Sequence, residues 1–113
     1  ANSRSQDNYP PYNIAQLDDT HYVIEVAVAG FAENEIDVEL KDNVLTVKGE
    51  KAKEEKAEIE YLHKGISARN FTRTVNLADN VEVKGATVVN GILAIALEQL
   101  VPEENKPKKI SIK

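Results

Sequence analysis

The feature that most constrains this chain is a strict two-residue alternation of apolar and polar side chains that returns at short intervals. Ile36, Val38 and Leu40 alternate with Asp37, Glu39 and Lys41 without a break. Such a period puts the apolar side chains on one face of an extended strand and the charges on the other. Residues 21–29 repeat it, with Tyr22, Ile24, Val26 and Val28 against Val23, Glu25, Ala27 and Ala29, and strand-like runs recur at 69–77, 81–89 and 92–97. The charged run 50–58 admits a helix on spacing alone. Glu50 and Glu54 are a like-charge pair, however, and no apolar stripe accompanies them, so a solvated loop is expected.

Turn chemistry falls between the runs. Asp42-Asn43 tolerates positive φ and suits a tight hairpin into residues 44–49, and Asn90-Gly91 is the strongest hairpin signal in the chain. Tyr9-Pro10-Pro11-Tyr12-Asn13-Ile14 places two prolines where a central strand needs donors, which makes it an edge strand or an extended arm. Residues 59–63 (Ile-Glu-Tyr-Leu-His) are strand-like but isolated among charges, so they need a partner strand, which another chain can supply. The pattern predicts an all-β fold, an antiparallel immunoglobulin-like β-sandwich. A length of 113 residues suits one domain, expected over 9–100 with a loop at 50–66. A polar, disordered stretch is expected at 1–8 and an extended C-terminal tail at 101–113. With no methionine, even at position 1, the chain is expected to be a fragment or processed product lacking an N-terminal segment.

Composition removes several function classes. The absence of cysteine excludes disulfide scaffolds, Cys-ligated zinc, iron-sulfur clusters and thiol catalysis, and it fits a reducing compartment, with the cytoplasm the expected location. A net charge of -5 argues against nucleic-acid partners, and no apolar run approaches a membrane span or a signal peptide. Neither G-x-x-x-x-G-K-[ST] nor G-x-G-x-x-G occurs, so energy coupling through bound ATP is not expected, and no cofactor is. His21 and His63 lie in separate segments without metal-ligand spacing and are expected on the surface. Adjacent carboxylates such as Asp18-Asp19 point apart in an extended chain and read as solvating charge. Asn70-Phe71-Thr72 matches the N-glycosylation acceptor pattern but has no secretory signal to go with it. Nothing pairs a nucleophile with a base, so no enzyme is expected.

Two features ask for more than a fold. Arg73 shares a strand face with Phe71, Val75 and Leu77, which is costly unless its charge is paired. Ile110-Ser111-Ile112 ends a charged tail with two β-branched side chains pointing the same way. They can plug a groove or form an ordinary final strand, and Pro102 and Pro107, which stiffen the linker, favour docking.

These residues together resemble the small heat shock proteins, the Hsp20 or α-crystallin domain family, over nearly the whole chain. Ala86-Thr87-Val88-Val89-Asn90-Gly91-Ile92-Leu93 is similar to the family signature A-x-x-x-N-G-x-L, carried here by Ala86, Asn90, Gly91 and Leu93. Phe71-Thr72-Arg73 sits where the family places a buried arginine, and Ile110-Ser111-Ile112 matches its I-x-I tail. Tyr-Pro-Pro-Tyr-Asn and Val28-Ala29-Gly30-Phe31 further resemble the bacterial inclusion-body-binding subgroup, although Ala29 stands where many relatives carry proline. The long variable N-terminal arm of relatives is missing.

The resemblance implies that the loop strand, with Ile59, Tyr61 and Leu62, is exchanged with a partner subunit to make a dimer. Arg73 would lie near that contact, balanced by a carboxylate or by carbonyls of the exchanged loop. Ile110 and Ile112 would dock between the strand bearing Val38 and Leu40 and the strand bearing Val83, with tail and groove from different chains in an oligomer. Burying two isoleucines yields roughly 3 to 6 kcal/mol, while ordering each tail residue costs about 1 to 2 kcal/mol. A single tail therefore binds weakly, and several tails hold an oligomer together through effective concentration. The implied function is an ATP-independent holdase for unfolding client proteins, handing them to ATP-driven chaperones. The alternatives are a p23-like monomeric co-chaperone adaptor and an immunoglobulin-like adhesion module.

Overall fold

A computed structural model describes residues 9–51, 59–66, 69–100 and 110–112. The expectations for residues 1–8, for the charged run at 52–58 and for the linker at 101–109 lie outside the described residues. Alternation becomes seven strands: β1 (Tyr12–Gln16), β2 (His21–Ala27), β3 (Ile36–Lys41), β4 (Val44–Gly49), β5 (Phe71–Asn76), β6 (Val81–Val89) and β7 (Ile92–Gln99). A 3-10 turn, Glu33–Glu35, precedes β3. The strands form two antiparallel sheets, ordered β1-β2-β7-β6 and β3-β4-β5.

Both predicted hairpins form with positive φ at each turn residue, 52° and 66° at Asp42 and Asn43 and 56° and 79° at Asn90 and Gly91. That matches the right-handed twist of the strands they join. β1 begins only after Pro10 and Pro11, which have no N–H to give a ladder, and it takes the edge position. β2 ends at Ala27 rather than Ala29: the Val28 N–H still reaches Gly91 O at 2.8 Å, and the chain then turns at Gly30 with φ 97°. Residues 59–63 form no strand within the single chain.

The core is the inner face of the central strands. Ile24, Val26, Leu45, Val47, Leu93, Ile95 and Leu97 are all buried, together with Val28, Phe31 and Phe71. Each such aliphatic side chain contributes about 1.5–3 kcal/mol when removed from water. On β6 the alternation changes phase. Val83 pairs with Leu97 and Gly85 with Ala96, so Lys84 is an extra residue in a bulge. Val81 and Val83 face inward before it, and Ala86 and Val88, opposite Ile95 and Leu93, face inward after it.

No backbone ladder joins the sheets, so side chains set how they stack. Arg73 on β5 reaches Pro10 ahead of β1, and Val75 and Ile14 line one pocket between the sheets. With β5 thus over β1, the strand orders leave β3 and β6 as the pair of edges on the opposite side.

Two close-range features carry measurable consequences. Gly49 lies directly opposite Phe71, and a Cβ there would run into the Phe71 ring, which itself packs edge-on against Phe31. Gly49→Ala is expected to lower the unfolding free energy by about 1–3 kcal/mol, the cost of overpacking a filled site, read from the urea midpoint. In the β1–β2 turn, Asp18 Oδ1 accepts from the backbone N–H groups of Thr20 and His21, each at 2.9 Å, and lies 2.9 Å from His21 Nδ1. The Thr20 N–H, followed by the His21 ring, holds the Asp18 carboxyl down at about 2 from its ordinary 3.8. A native pKa below the unfolded one gives stability that is present above the unfolded value and is lost as pH falls through the native one. The urea midpoint of the wild type should therefore fall relative to Asp18→Asn as pH is lowered from about 3.8 to about 2.

Candidate functional site

The loop that leaves β4 and returns at β5 is fixed at both roots. The Lys51 N–H donates to Asn70 Oδ1 at 2.7 Å, its Nζ donates to Gly30 O at 2.6 Å, and the same ammonium lies 5.4 Å from the Phe31 ring centre. At the other root the Arg69 N–H donates to the Tyr9 hydroxyl at 3.1 Å, while the Arg69 guanidinium lies 4.3 Å from the Tyr9 ring centre. Tyr9 meets Phe71 edge-on at 6.0 Å, and Phe71 meets Phe31 edge-on at 5.4 Å. Cations thus cap both ends of an aromatic row that closes one end of the sandwich.

Between these roots the described segment 59–66 is exposed. Ile59, Tyr61, Leu62 and Ile66 stay largely in water, Leu62 at 97% exposure. Apolar side chains clustered in this way on an otherwise packed domain mark a contact surface.

Arg73 sits on the same face of β5 as Phe71 and Val75, as its position in the alternation predicts. Its Nε and Nη2 both donate to Pro10 O, at 3.1 and 3.0 Å, and its guanidinium lies 4.7 Å from the Tyr12 ring centre. Among the described residues of the single chain, the Arg73 fork is taken up by a carbonyl of the entering segment, Pro10 O. Sequence alone does not point to Pro10, which lies 63 residues away and whose carbonyl has no signature of its own. Arg69, Phe71 and Arg73, at alternate positions, grip Tyr9, Pro10 and Tyr12 between them.

The groove residues named from the sequence lie on the open side of the sandwich. Val38 on β3 and Val83 on β6 are partly buried against the common core, and Leu40 is 39% exposed. Ala86 lies opposite buried Ile95 in the β6–β7 register yet is itself exposed. Asn90 and Gly91 make the hairpin turn, Gly91 O accepts from Val28 N–H, and Leu93 fills the core. The four signature residues thus supply the hairpin turn, one exposed position of β6 and one core side chain. Ile110 and Ile112 are 84% and 95% exposed, so the tail motif does not bury itself on its own domain. An open apolar pocket of about 260 Å³, lined by Ile14, Tyr22, Val75, Leu77, Val81 and Leu97 among others, was not foreseen; an apolar residue on a proline-headed edge strand was its only signal.

Comparison with known proteins agrees with this arrangement. The profile of the Hsp20/alpha crystallin family matches residues 14–113. The small heat shock protein IbpA of Salmonella typhimurium is 52% identical over 113 residues, covering 98% of this chain and 82% of that protein. Among solved structures, the small heat shock protein of Synechococcus phage S-ShM2 superposes with a TM-score of 0.73 at 34% identity, covering 92% of this chain and 99% of that one. A C-terminally truncated form of the small heat shock protein AgsA from Salmonella typhimurium gives a TM-score of 0.72 at 31% identity, over 89% and 96% of the two chains.

Removing the Arg73 fork leaves the buried Pro10 carbonyl without a donor. Arg73→Ala is expected to cost about 2 kcal/mol of unfolding free energy in urea titration. Arg73→Lys should recover only part of it, because an ammonium cannot place two donors on one oxygen while stacking on Tyr12.

Proposed function

The chain belongs to the Hsp20/alpha crystallin family, the small heat shock proteins, and is an ATP-independent chaperone; on that premise we propose how it holds its clients and itself. It captures partly unfolded proteins under stress and keeps them from irreversible aggregation, without covalent chemistry and in the cytoplasm, for later refolding by ATP-driven chaperones. Among the described residues no helix is long and apolar enough to cross a membrane. The domain comprises 9–100, with 50–66 as its dimerisation loop and 101–113 as its extension.

One observation carries this reading. On a sandwich whose core is closed, exposed apolar side chains are concentrated on segments 59–66 and 110–112, and neither packs on its own domain. Ile59, Tyr61 and Leu62 serve the exchange with a second subunit, close to Arg73, and Ile110 and Ile112 serve the groove of Val38, Leu40 and Val83. Vacant grooves and loops are then the apolar surface offered to a client. Nothing observed favours the p23-like adaptor.

At equimolar subunits the chain should reduce the light scattering of a heated client, and no reduction would sink the holdase reading. On size exclusion with light scattering, Ile110→Ala/Ile112→Ala should shrink any species larger than a dimer to the dimer. A strict monomer in both forms would rule out loop exchange.

A further inference from the structure

Of the asparagines in the chain, only Asn90 is followed by glycine. The pair forms the two-residue loop between Val89 and Ile92. Asn90 is exposed, and its side chain makes no hydrogen bond among the described residues. Asn43 and Asn80 share its positive φ, at 66° and 64°, but each is followed by valine, and the Asn43 amide donates to Asp79 Oδ1 at 2.8 Å. What the turn takes from Asn90 is its tolerance of φ 56°, which aspartate shares. At position 91 it requires glycine, because φ is 79° and a Cβ there would come within 3.3 Å of the Ala29 Cβ.

The residues that make this turn are also a reactive pair. A glycine leaves its own peptide nitrogen unhindered, so that nitrogen can attack the side-chain amide that precedes it. Hydroxide takes the Gly91 N–H proton, the nitrogen bonds to Asn90 Cγ, and the Cγ–Nδ2 bond breaks. The departing nitrogen takes a proton from water and leaves as ammonia, and a cyclic imide remains. Water then opens the imide at either carbonyl. Attack at Cγ gives aspartate, and attack at the main-chain carbonyl gives isoaspartate, in which the backbone runs through the side-chain carbon. Either product adds one negative charge to a chain already at -5.

The fold gates the first step. With φ positive at both loop residues the turn is of type I′, which sets the Asn90 Cβ and the Gly91 nitrogen on opposite sides of the Cα–C bond. Ring closure needs them on the same side, so it waits until the tip opens and Val89 parts from Ile92. The two products then diverge. Asp-Gly suits the same turn, so the aspartate form closes again unchanged. Isoaspartate puts a further main-chain carbon into a loop whose length sets the Val89–Ile92 register. It also moves Gly91 O away from the Val28 N–H, now at 2.8 Å, and Val28 O in turn accepts from the Phe31 N–H at 3.0 Å. The disturbance therefore runs from the hairpin tip into the aromatic row.

We propose that Asn90-Gly91 is an opening-gated modification site, where the chain loses ammonia and gains isoaspartate in proportion to the time its β6–β7 tip spends open. The enzyme class that fits the product is a carboxyl methyltransferase using S-adenosylmethionine, acting on the α-carboxylate that the isoaspartyl link leaves free.

The test incubates the full chain at mildly alkaline pH, in native buffer and in guanidinium chloride. Digests are mapped by mass spectrometry and labelled with isoaspartyl methyltransferase and S-adenosylmethionine. Isoaspartate is expected at residue 90 well ahead of residues 43 and 80, and at least about tenfold faster in guanidinium than in native buffer. Freshly prepared Asn90→Asp should keep the urea midpoint of the wild type, and isoaspartate-enriched wild type should unfold at lower urea. No excess at residue 90 over residues 43 and 80 in guanidinium would overturn the site. Equal rates in the two solvents would overturn the gate. An Asn90→Asp midpoint as low as that of the isoaspartate-enriched chain would overturn the distinction between the products.

Discussion

The two hydrogen bonds from Arg73 to the Pro10 carbonyl govern which edges of the sandwich stay open. Two sheets without a shared ladder can slide over one another, and this fork, backed by Tyr9 on Phe71, seats β5 over the entry to β1. Chain entry and the returning loop root are thereby tied together at one edge. β3 and β6 are left facing each other at the other edge. The loop leaves beside the start of β3, where the Glu50 N–H donates to Glu35 O, and its return at Arg69 is held against Tyr9.

Local chemistry was legible in the sequence, and long-range pairing was not. The strand faces and both hairpins follow from period-two alternation and from Asp42-Asn43 and Asn90-Gly91, whose φ preferences act within a few residues. The bulge at Lys84 was missed although Gly85 and the phase change from Val83 to Val88 announce it, because the run was read as one continuous strand. The acceptor of Arg73 was out of reach for another reason, since a backbone carbonyl has no side-chain signature and every residue carries one. Residues 59–63 have strand composition without a strand, for β-propensity expresses the fit to a neighbour that a single chain does not provide.

The exposed apolar segments are short and flanked by charge, and this bears on reversibility. Two isoleucines at about 1.5–3 kcal/mol each barely exceed the ordering of the residues that carry them, at about 1–2 kcal/mol apiece. A contact so balanced is open to modest electrostatic bias. Exposed carboxylates such as Asp37 and Glu39 sit where attraction is weak in water but sufficient to tip a near-even equilibrium.

The same charges also answer the hazard that a free edge creates. An unpaired β3 presents the Val38 and Leu40 backbone to any extended chain, including the β3 of another copy. Two such edges meeting would bring Asp37 and Glu39 of one against Asp37 and Glu39 of the other, a like-charge ladder that works against pairing. One pair of carboxylates can therefore work against edge-to-edge pairing of the chaperone with itself, so that solubility rests on the solvent face of one strand.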